Sequence, residues 1–366
     1  MSTANTDKLN AVFAEDAFQL PIDWDNSNDF MVWLDGIFAQ YQIMLLNHYP
    51  NNKSAKHDKV KRICDHFIHA IQNYLVGAVE SAYTDFKDGM AILSPYLESR
   101  YSQNDISQYL TKLYRVRLGN RHAFQPQEMF HIPFEQRQIV DSQRYSINGL
   151  PCLYVGASSY VCWEELGRPS FEDVQISRVE AKPNTGIRVL DLGFRPDYLK
   201  GHYDNAINAN TMTRDFGKML HAYVYIWPLL ALCSIKTKYK NAKFKVEYII
   251  PHFLLQWIRN QKFDGIRYFS VETLGTLRDL GTYTNFVFPA QELSPSGLCR
   301  TLRNKFKVTE SVSWTFGNAI KYTFRNTNSL PGGTLFLNSE VSAMYQFTQF
   351  GKIETMLNDM TARDLP

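Results

Sequence analysis

Cysteine is scarce in this chain, and what there is does not suit bonding: Cys64, Cys152, Cys162, Cys233 and Cys299 are scattered without Cys-x-x-Cys spacing. An odd count of five in a long chain argues against a disulfide framework. Long apolar runs are also missing. The longest, Ala222 to Ile235, contains Pro228 and Ser234, is too short to span a membrane and reads as a core helix. Met1 to Asn10 are polar with no apolar h-region, so no secretory signal is expected, the chain is read as cytoplasmic, and no membrane partner is expected. Charge of one sign is weak, with a formal net charge of +3. The densest basic run, Lys236 to Lys245, is short and interrupted by tyrosine and phenylalanine, so it reads as a solvated face and no direct nucleic-acid contact is expected. Repeats and low-complexity segments are absent.

What the chain does have is length and apolar mass. Its 366 residues exceed the usual single domain, and its 45% hydrophobic and 14% aromatic content can build a sizeable core. From Asn28 to Tyr49, Phe30, Trp33, Leu34, Ile37, Phe38, Tyr41, Met44 and Leu45 recur at helical spacing behind Ser27 and Asn28, two good N-cap residues. Pro50 to Lys59 reads as a loop. A second helix then carries Val60, Ile63, Cys64, Phe67, Ile71, Tyr74, Ala78, Ala82 and Phe86 on one face. Two helices cannot hide Phe30, Trp33, Phe38, Phe67 and Tyr74 by themselves. The expected cover is the rest of the chain, together with a second copy of the chain in a homo-oligomer.

The middle of the chain alternates strand and helix patterns. Strands are expected at Leu150 to Gly156, around Phe171 to Val179, and at Ile187 to Leu192, Gly265 to Ser270 and Thr284 to Phe288. Helices are expected at Ala157 to Gly167, Thr213 to Cys233 and Pro251 to Gln261. This mixture predicts an α+β domain with a curved, mostly antiparallel sheet. The tail from Leu293 shows β-like Phe306 to Trp314 and Ala319 to Phe324, a Pro331-Gly332-Gly333 turn, and a helical pattern through Met344, Phe347, Phe350, Met356 and Leu357.

Four phrases stand in order: Tyr114-Arg115-Val116-Arg117; Gln143-Arg144-Tyr145 running to Leu150-Pro151-Cys152-Leu153-Tyr154; Cys162-Trp163-Glu164-Glu165-Leu166; and Phe263-Asp264-Gly265-Ile266-Arg267-Tyr268-Phe269-Ser270. An arginine, a glutamate and a serine in these contexts resemble the RES family, over residues 110 to 290. The resemblance implies an ADP-ribosyltransferase-like fold that destroys NAD+, as a toxin restrained by an antitoxin-like inhibitor protein. The resemblance leaves both ends of the chain unexplained; with the patterns read there, three segments are expected: an α-helical N-terminal domain over 1–107, a RES catalytic domain over 108–292, and a C-terminal extension over 293–366 packing on the catalytic domain. NAD+ is then substrate, and neither a cofactor nor a metal is implied. His66 and His69 near Cys64 do not change that, because they match no zinc pattern.

The chemistry suits those residue types. Cleaving the nicotinamide–ribose bond gathers positive charge on the sugar, and a carboxylate in a water-poor site stabilises it without reorganising. The strand-to-glutamate spacing that the resemblance implies, counted from Tyr154, lands on Glu165 rather than Glu164. Neighbours on a helix point about 100° apart, so only one of the two faces a cleft. Arg115 and Arg144 match pyrophosphate oxygens with a guanidinium fork. At the second of these the resemblance departs, Gln143 standing for a glycine and Tyr145 for another aromatic. Tyr154, with Tyr114, suits nicotinamide or ribose, while Ser270 suits binding and orientation, since no Gly-x-Ser-x-Gly elbow surrounds it. His131, in Met129-Phe130-His131-Ile132-Pro133-Phe134, shapes the cleft or packs as a structural histidine. The acceptor can be water or inorganic phosphate. Transfer of ADP-ribose to a protein, or a non-catalytic module that binds NAD+ or ADP-ribose, are the alternatives.

Overall fold

A computed structural model describes residues 3–49, 55–103, 105–119, 122–239, 242–261, 263–272, 283–319, 334–336 and 342–366. The expected Pro331-Gly332-Gly333 turn and most of the β-like stretch Ala319 to Phe324 lie outside them. The chain divides into two compact units, one of residues 1–102, 143–145 and 194–257, the other of residues 103–142, 146–193 and 258–366. The stretch expected as 108–292 therefore contributes to both.

The first unit is helical. Asp29 starts the helix Phe30–His48, its carboxylate accepting from the Met31 and Val32 amides at 2.9 and 3.2 Å. Ser27, one of the two residues expected in that role, instead bonds Asp25 through its amide and hydroxyl. The apolar period from Val60 to Phe86 belongs to two helices rather than one, Ala55–Leu75 and Val79–Arg100. Gly77 separates them with φ of +83°, a left-handed conformation open to glycine, while the Ala78 amide reaches back to the Asn73 carbonyl at 2.8 Å.

Cover for these stripes comes from residues 194–257. In the helix Arg214–Cys233, Trp227 stacks on Tyr41 with ring centroids 4.1 Å apart and donates its indole N–H to the Phe18 carbonyl at 2.8 Å. The Tyr41 hydroxyl donates to the Val224 carbonyl. Phe253 meets Tyr74, Tyr83 and Phe86 with centroids 5.8, 5.4 and 5.6 Å away. Phe38 and Phe67 are buried as a result, and burying each such ring stabilises the unit by about 2–3 kcal/mol. Among the described residues Arg214–Cys233 is the one helix long and apolar enough to cross a membrane, and 78% of its apolar window is buried inside the protein.

The second unit carries the sheet, which fixes the class as α+β. Across it the order runs Phe306–Val308, Val174–Ala181, Leu113–Leu118, Cys152–Gly156, Thr284–Pro289, Gly265–Phe269, Val189–Leu192, with Val312–Ser313 also pairing with Val174–Ala181. All these neighbours are antiparallel except Gly265–Phe269 and Val189–Leu192. Alternation sends Leu153, Val155, Phe286 and Phe288 into one core and Tyr114, Val116 and Ile176 into another, where they meet Tyr160, Trp314 and Phe350. Gly265 has to be glycine, because a Cβ there would lie 2.5 Å from the Val287 carbonyl oxygen. The C-terminal segment is part of this unit, pairing through Phe306–Val308 and filling the second core with Phe350, Ile353 and Leu357 of the helix Gln349–Asp359.

Candidate functional site

The short helix Ser159–Glu165 follows the strand Cys152–Gly156 with almost no loop. Ser158 caps it, its hydroxyl oxygen accepting from the Val161 amide at 3.1 Å. Gly156 lets the helix sit against the strand end: a Cβ there would lie 2.5 Å from Val161 Cγ1, 2.7 Å from Cys162 Sγ and 2.9 Å from the Ser158 carbonyl oxygen. The two glutamates at the helix end then part company. Glu164 turns inward, is buried, and accepts from Arg168 Nε at 2.8 Å, leaving Oε1 buried without a hydrogen bond. Glu165 is exposed and accepts from Asn285 Nδ2 at 2.9 Å.

Asn285 is the residue that sequence reasoning passed over. It is buried in the strand Thr284–Pro289, opposite Gly156 on one side and Tyr268 on the other. A single amide inside the apolar run Thr284 to Phe288 was its signal, since a buried amide needs partners.

Arg115 lies where two strands separate. The strands Leu113–Leu118 and Cys152–Gly156 share one register pair, Tyr114 with Gly156, and the Arg115 guanidinium donates through Nη1 to the Tyr154 carbonyl at 3.1 Å. Its Nε is buried and makes no hydrogen bond. Burial, and then the neighbouring Arg117, pull its pKa down to about 10, which leaves it cationic at neutral pH. Ser177 stands directly opposite Arg115 in the antiparallel register, and its buried hydroxyl also has no partner. Directly opposed residues share a sheet face. A cation and a hydroxyl, each with an unused polar atom, are thus side by side.

Tyr154 is half-buried opposite Val287, and burial pushes its phenol well above the usual range. Ser270 is buried one residue past the Phe269–Thr284 pair; its amide donates to the Tyr283 carbonyl at 3.0 Å and its hydroxyl accepts from the Glu272 amide at 3.2 Å. It belongs to the same sheet end as Asn285, which opposes Tyr268. The Tyr114 hydroxyl donates to Asn358 Oδ1 at 3.0 Å inside an apolar cluster. His131 is fully buried with both ring nitrogens engaged: Nε2 accepts from the Cys299 amide at 2.8 Å, so Nδ1 carries the proton and donates to the Ile132 carbonyl at 2.7 Å. Burial pulls its pKa down to about 4, and the ring is neutral. Arg144 belongs to the first unit. There it donates to the Cys233 and Ile235 carbonyls at 3.3 and 2.8 Å and lies over the Tyr248 ring, a favourable place for a cation after the last turn of a helix.

Among the described residues no group of three His, Cys, Asp or Glu side chains is placed to hold a metal ion, and all five cysteines are free. Burial pushes the Cys152 and Cys233 thiols up to about 12, which makes them poor nucleophiles. A separate cleft of about 730 Å3, lined by Arg117, Phe124, Glu128, Arg300, Arg303 and Pro366 among others, includes none of Arg115, Tyr154, Glu165 or Ser270.

No family model matches the chain, and no solved structure matches it. A protein of Bacillus subtilis (strain 168) that carries the provisional name toxin YopC is 33% identical over 357 residues, an overlap covering 94% of this chain and 79% of that protein.

Proposed function

Because the chain belongs to the family of that Bacillus protein, we propose that it is a toxin, and that it acts by cleaving the nicotinamide–ribose bond of NAD+. The observation that carries the reading is Glu165 with Asn285, an exposed carboxylate at the end of the helix Ser159–Glu165 that a buried strand amide holds at 2.9 Å. Arg115, cationic at neutral pH and placed where two strands separate, is the guanidinium that meets the pyrophosphate. Glu165 is the carboxylate that stabilises positive charge on the ribose as nicotinamide leaves. Asn285 donates to it and limits its rotation. Tyr154 contacts nicotinamide or ribose, and Ser270 orients the sugar. Glu164, turned inward onto Arg168, is left with a supporting role.

Water or inorganic phosphate then bonds to the ribose carbon that nicotinamide leaves, giving ADP-ribose with release of a proton, or ADP-ribose-1-phosphate. Induced expression in a bacterial host tests the reading: cellular NAD+ falls as growth arrests, and Glu165→Gln abolishes both. Growth arrest with undiminished NAD+ would leave a toxin with another target.

A further inference from the structure

The helix that carries Glu165 is held from the far end of the chain. Glu354, on the helix Gln349–Asp359, is buried at 1% exposure. Its Oε1 accepts three hydrogen bonds, from the Ser159 amide at 2.6 Å, the Ser159 hydroxyl at 2.7 Å and the Tyr345 hydroxyl at 2.6 Å. Around it the same helix presents Phe350, Ile353 and Leu357 to an apolar cluster, so packing alone does not call for a carboxylate. Burying one is unfavourable unless donors compensate. Here two of the three donors belong to the first residue of the glutamate helix. Ser158 already caps that helix, so the Glu354 contact is a second anchor, and it fixes position more than it satisfies a terminus. Gly351 helps to build it, since only a residue without a side chain lets the Tyr345–Gln346 backbone approach the helix so closely.

We propose that Glu354 is a positioning residue for Glu165. By fixing the first turn of the glutamate helix it keeps the carboxylate at the last residue against Asn285, and Tyr345 and Glu354 make the C-terminal segment a working part of the catalytic unit. The proposal rests on the reading of Glu165 as the carboxylate that acts on NAD+.

The test compares the full-length wild type with Glu354→Gln, Glu354→Asp and Ser159→Ala, by nicotinamide release across a range of NAD+ concentrations and by hydrogen exchange of peptides covering residues 158–166. In Glu354→Gln, kcat falls roughly 10- to 100-fold with KM nearly unchanged, as expected when a reacting group is displaced by about an ångström. Exchange over 158–166 speeds up while the sheet peptides stay protected. Glu354→Asp recovers part of the lost kcat. Ser159→Ala, which keeps the amide and loses the hydroxyl, shows a smaller change in the same direction and decides the matter if Glu354→Gln fails to fold. Unchanged exchange over 158–166 overturns the proposal. So does faster exchange there with unchanged kcat, or a parallel change in KM and kcat with exchange raised throughout the unit, which assigns Glu354 to stability alone. If the wild type itself releases no nicotinamide, NAD+ cleavage is the reading that fails, and exchange over 158–166 still decides whether Glu354 holds the helix.

Discussion

Replacing each of the two adjacent glutamates by glutamine separates chemistry from packing. In the unbound protein Glu165 is exposed and accepts from Asn285, and a glutamine there can still accept that bond through its amide oxygen. The fold should not notice the change. The reaction should, because the charge itself is gone. A carboxylate about 4 Å from a developing ribose cation, at an effective dielectric of about 20, contributes about 4 kcal/mol. At about 1.4 kcal/mol per tenfold in rate, Glu165→Gln loses roughly a thousandfold in kcat, with NAD+ affinity nearly intact because most of that charge forms only in the transition state. Glu164→Gln has the opposite signature. Its loss is an ion pair with a half-exposed Arg168, worth about 1 kcal/mol or less, so the melting temperature drops slightly and kcat stays within about threefold of wild type. Chromatographic measurement of released nicotinamide, calorimetric titration of NAD+ and thermal melts together read these quantities. Full activity in Glu165→Gln with collapse in Glu164→Gln would refute the assignment and move the chemistry to the inward-facing side of the helix.

Two further expectations come from the same packing. Gly156→Ala places a methyl 2.5 Å from Val161 Cγ1 and 2.9 Å from the Ser158 carbonyl oxygen, which should cost about 1–3 kcal/mol and lift the glutamate helix off its strand; urea melts and nicotinamide release should fall together, and a variant with unchanged stability and turnover contradicts the close seating. Glu354 should also make stability depend on pH. Burial raises its pKa from 4.5 to about 7 even though Tyr345 and Ser159 donate to it, so its contribution to stability is complete below about pH 4.5 and is lost as pH rises through about 7. The groups on which its charge acts, the Tyr345 and Tyr114 phenols and the Cys162 thiol, have raised pKa values and stay neutral over that window. Glu354→Gln should therefore flatten the difference between urea melts at pH 5 and pH 8 by on the order of 3 kcal/mol, and an unaltered difference contradicts the buried carboxylate.

Strands were legible where side chains alternate or form short apolar runs, so Cys152–Gly156 and Gly265–Phe269 fall inside the expected segments and Thr284–Pro289 runs one residue past its own. The break at Gly77 was not, since one glycine inside a helical period is tolerated elsewhere and only its left-handed φ shows the interruption. Nor could periodicity show that Arg214–Cys233 covers Phe18 and Tyr41 rather than the sheet: a helix apolar on most sides fits any core. At the candidate site, Glu165 was chosen over Glu164 by the strand-to-glutamate spacing that the resemblance implies; that one is exposed and the other buried came only from the fold. Ser177 gave no hint, as an ordinary serine whose meaning depends on lying opposite Arg115 in register. Glu354 is 195 positions from Ser159, beyond the reach of any local pattern.

The central claim is tested most directly with purified full-length protein, NAD+, and buffer with or without inorganic phosphate, reading nicotinamide and the sugar product by chromatography. The account predicts nicotinamide release, with ADP-ribose formed if water is the acceptor or ADP-ribose-1-phosphate if phosphate is, and loss of both products in Glu165→Gln. NAD+ left intact at every phosphate concentration, by protein that still binds it, would contradict cleavage and leave a module that binds the dinucleotide without breaking it.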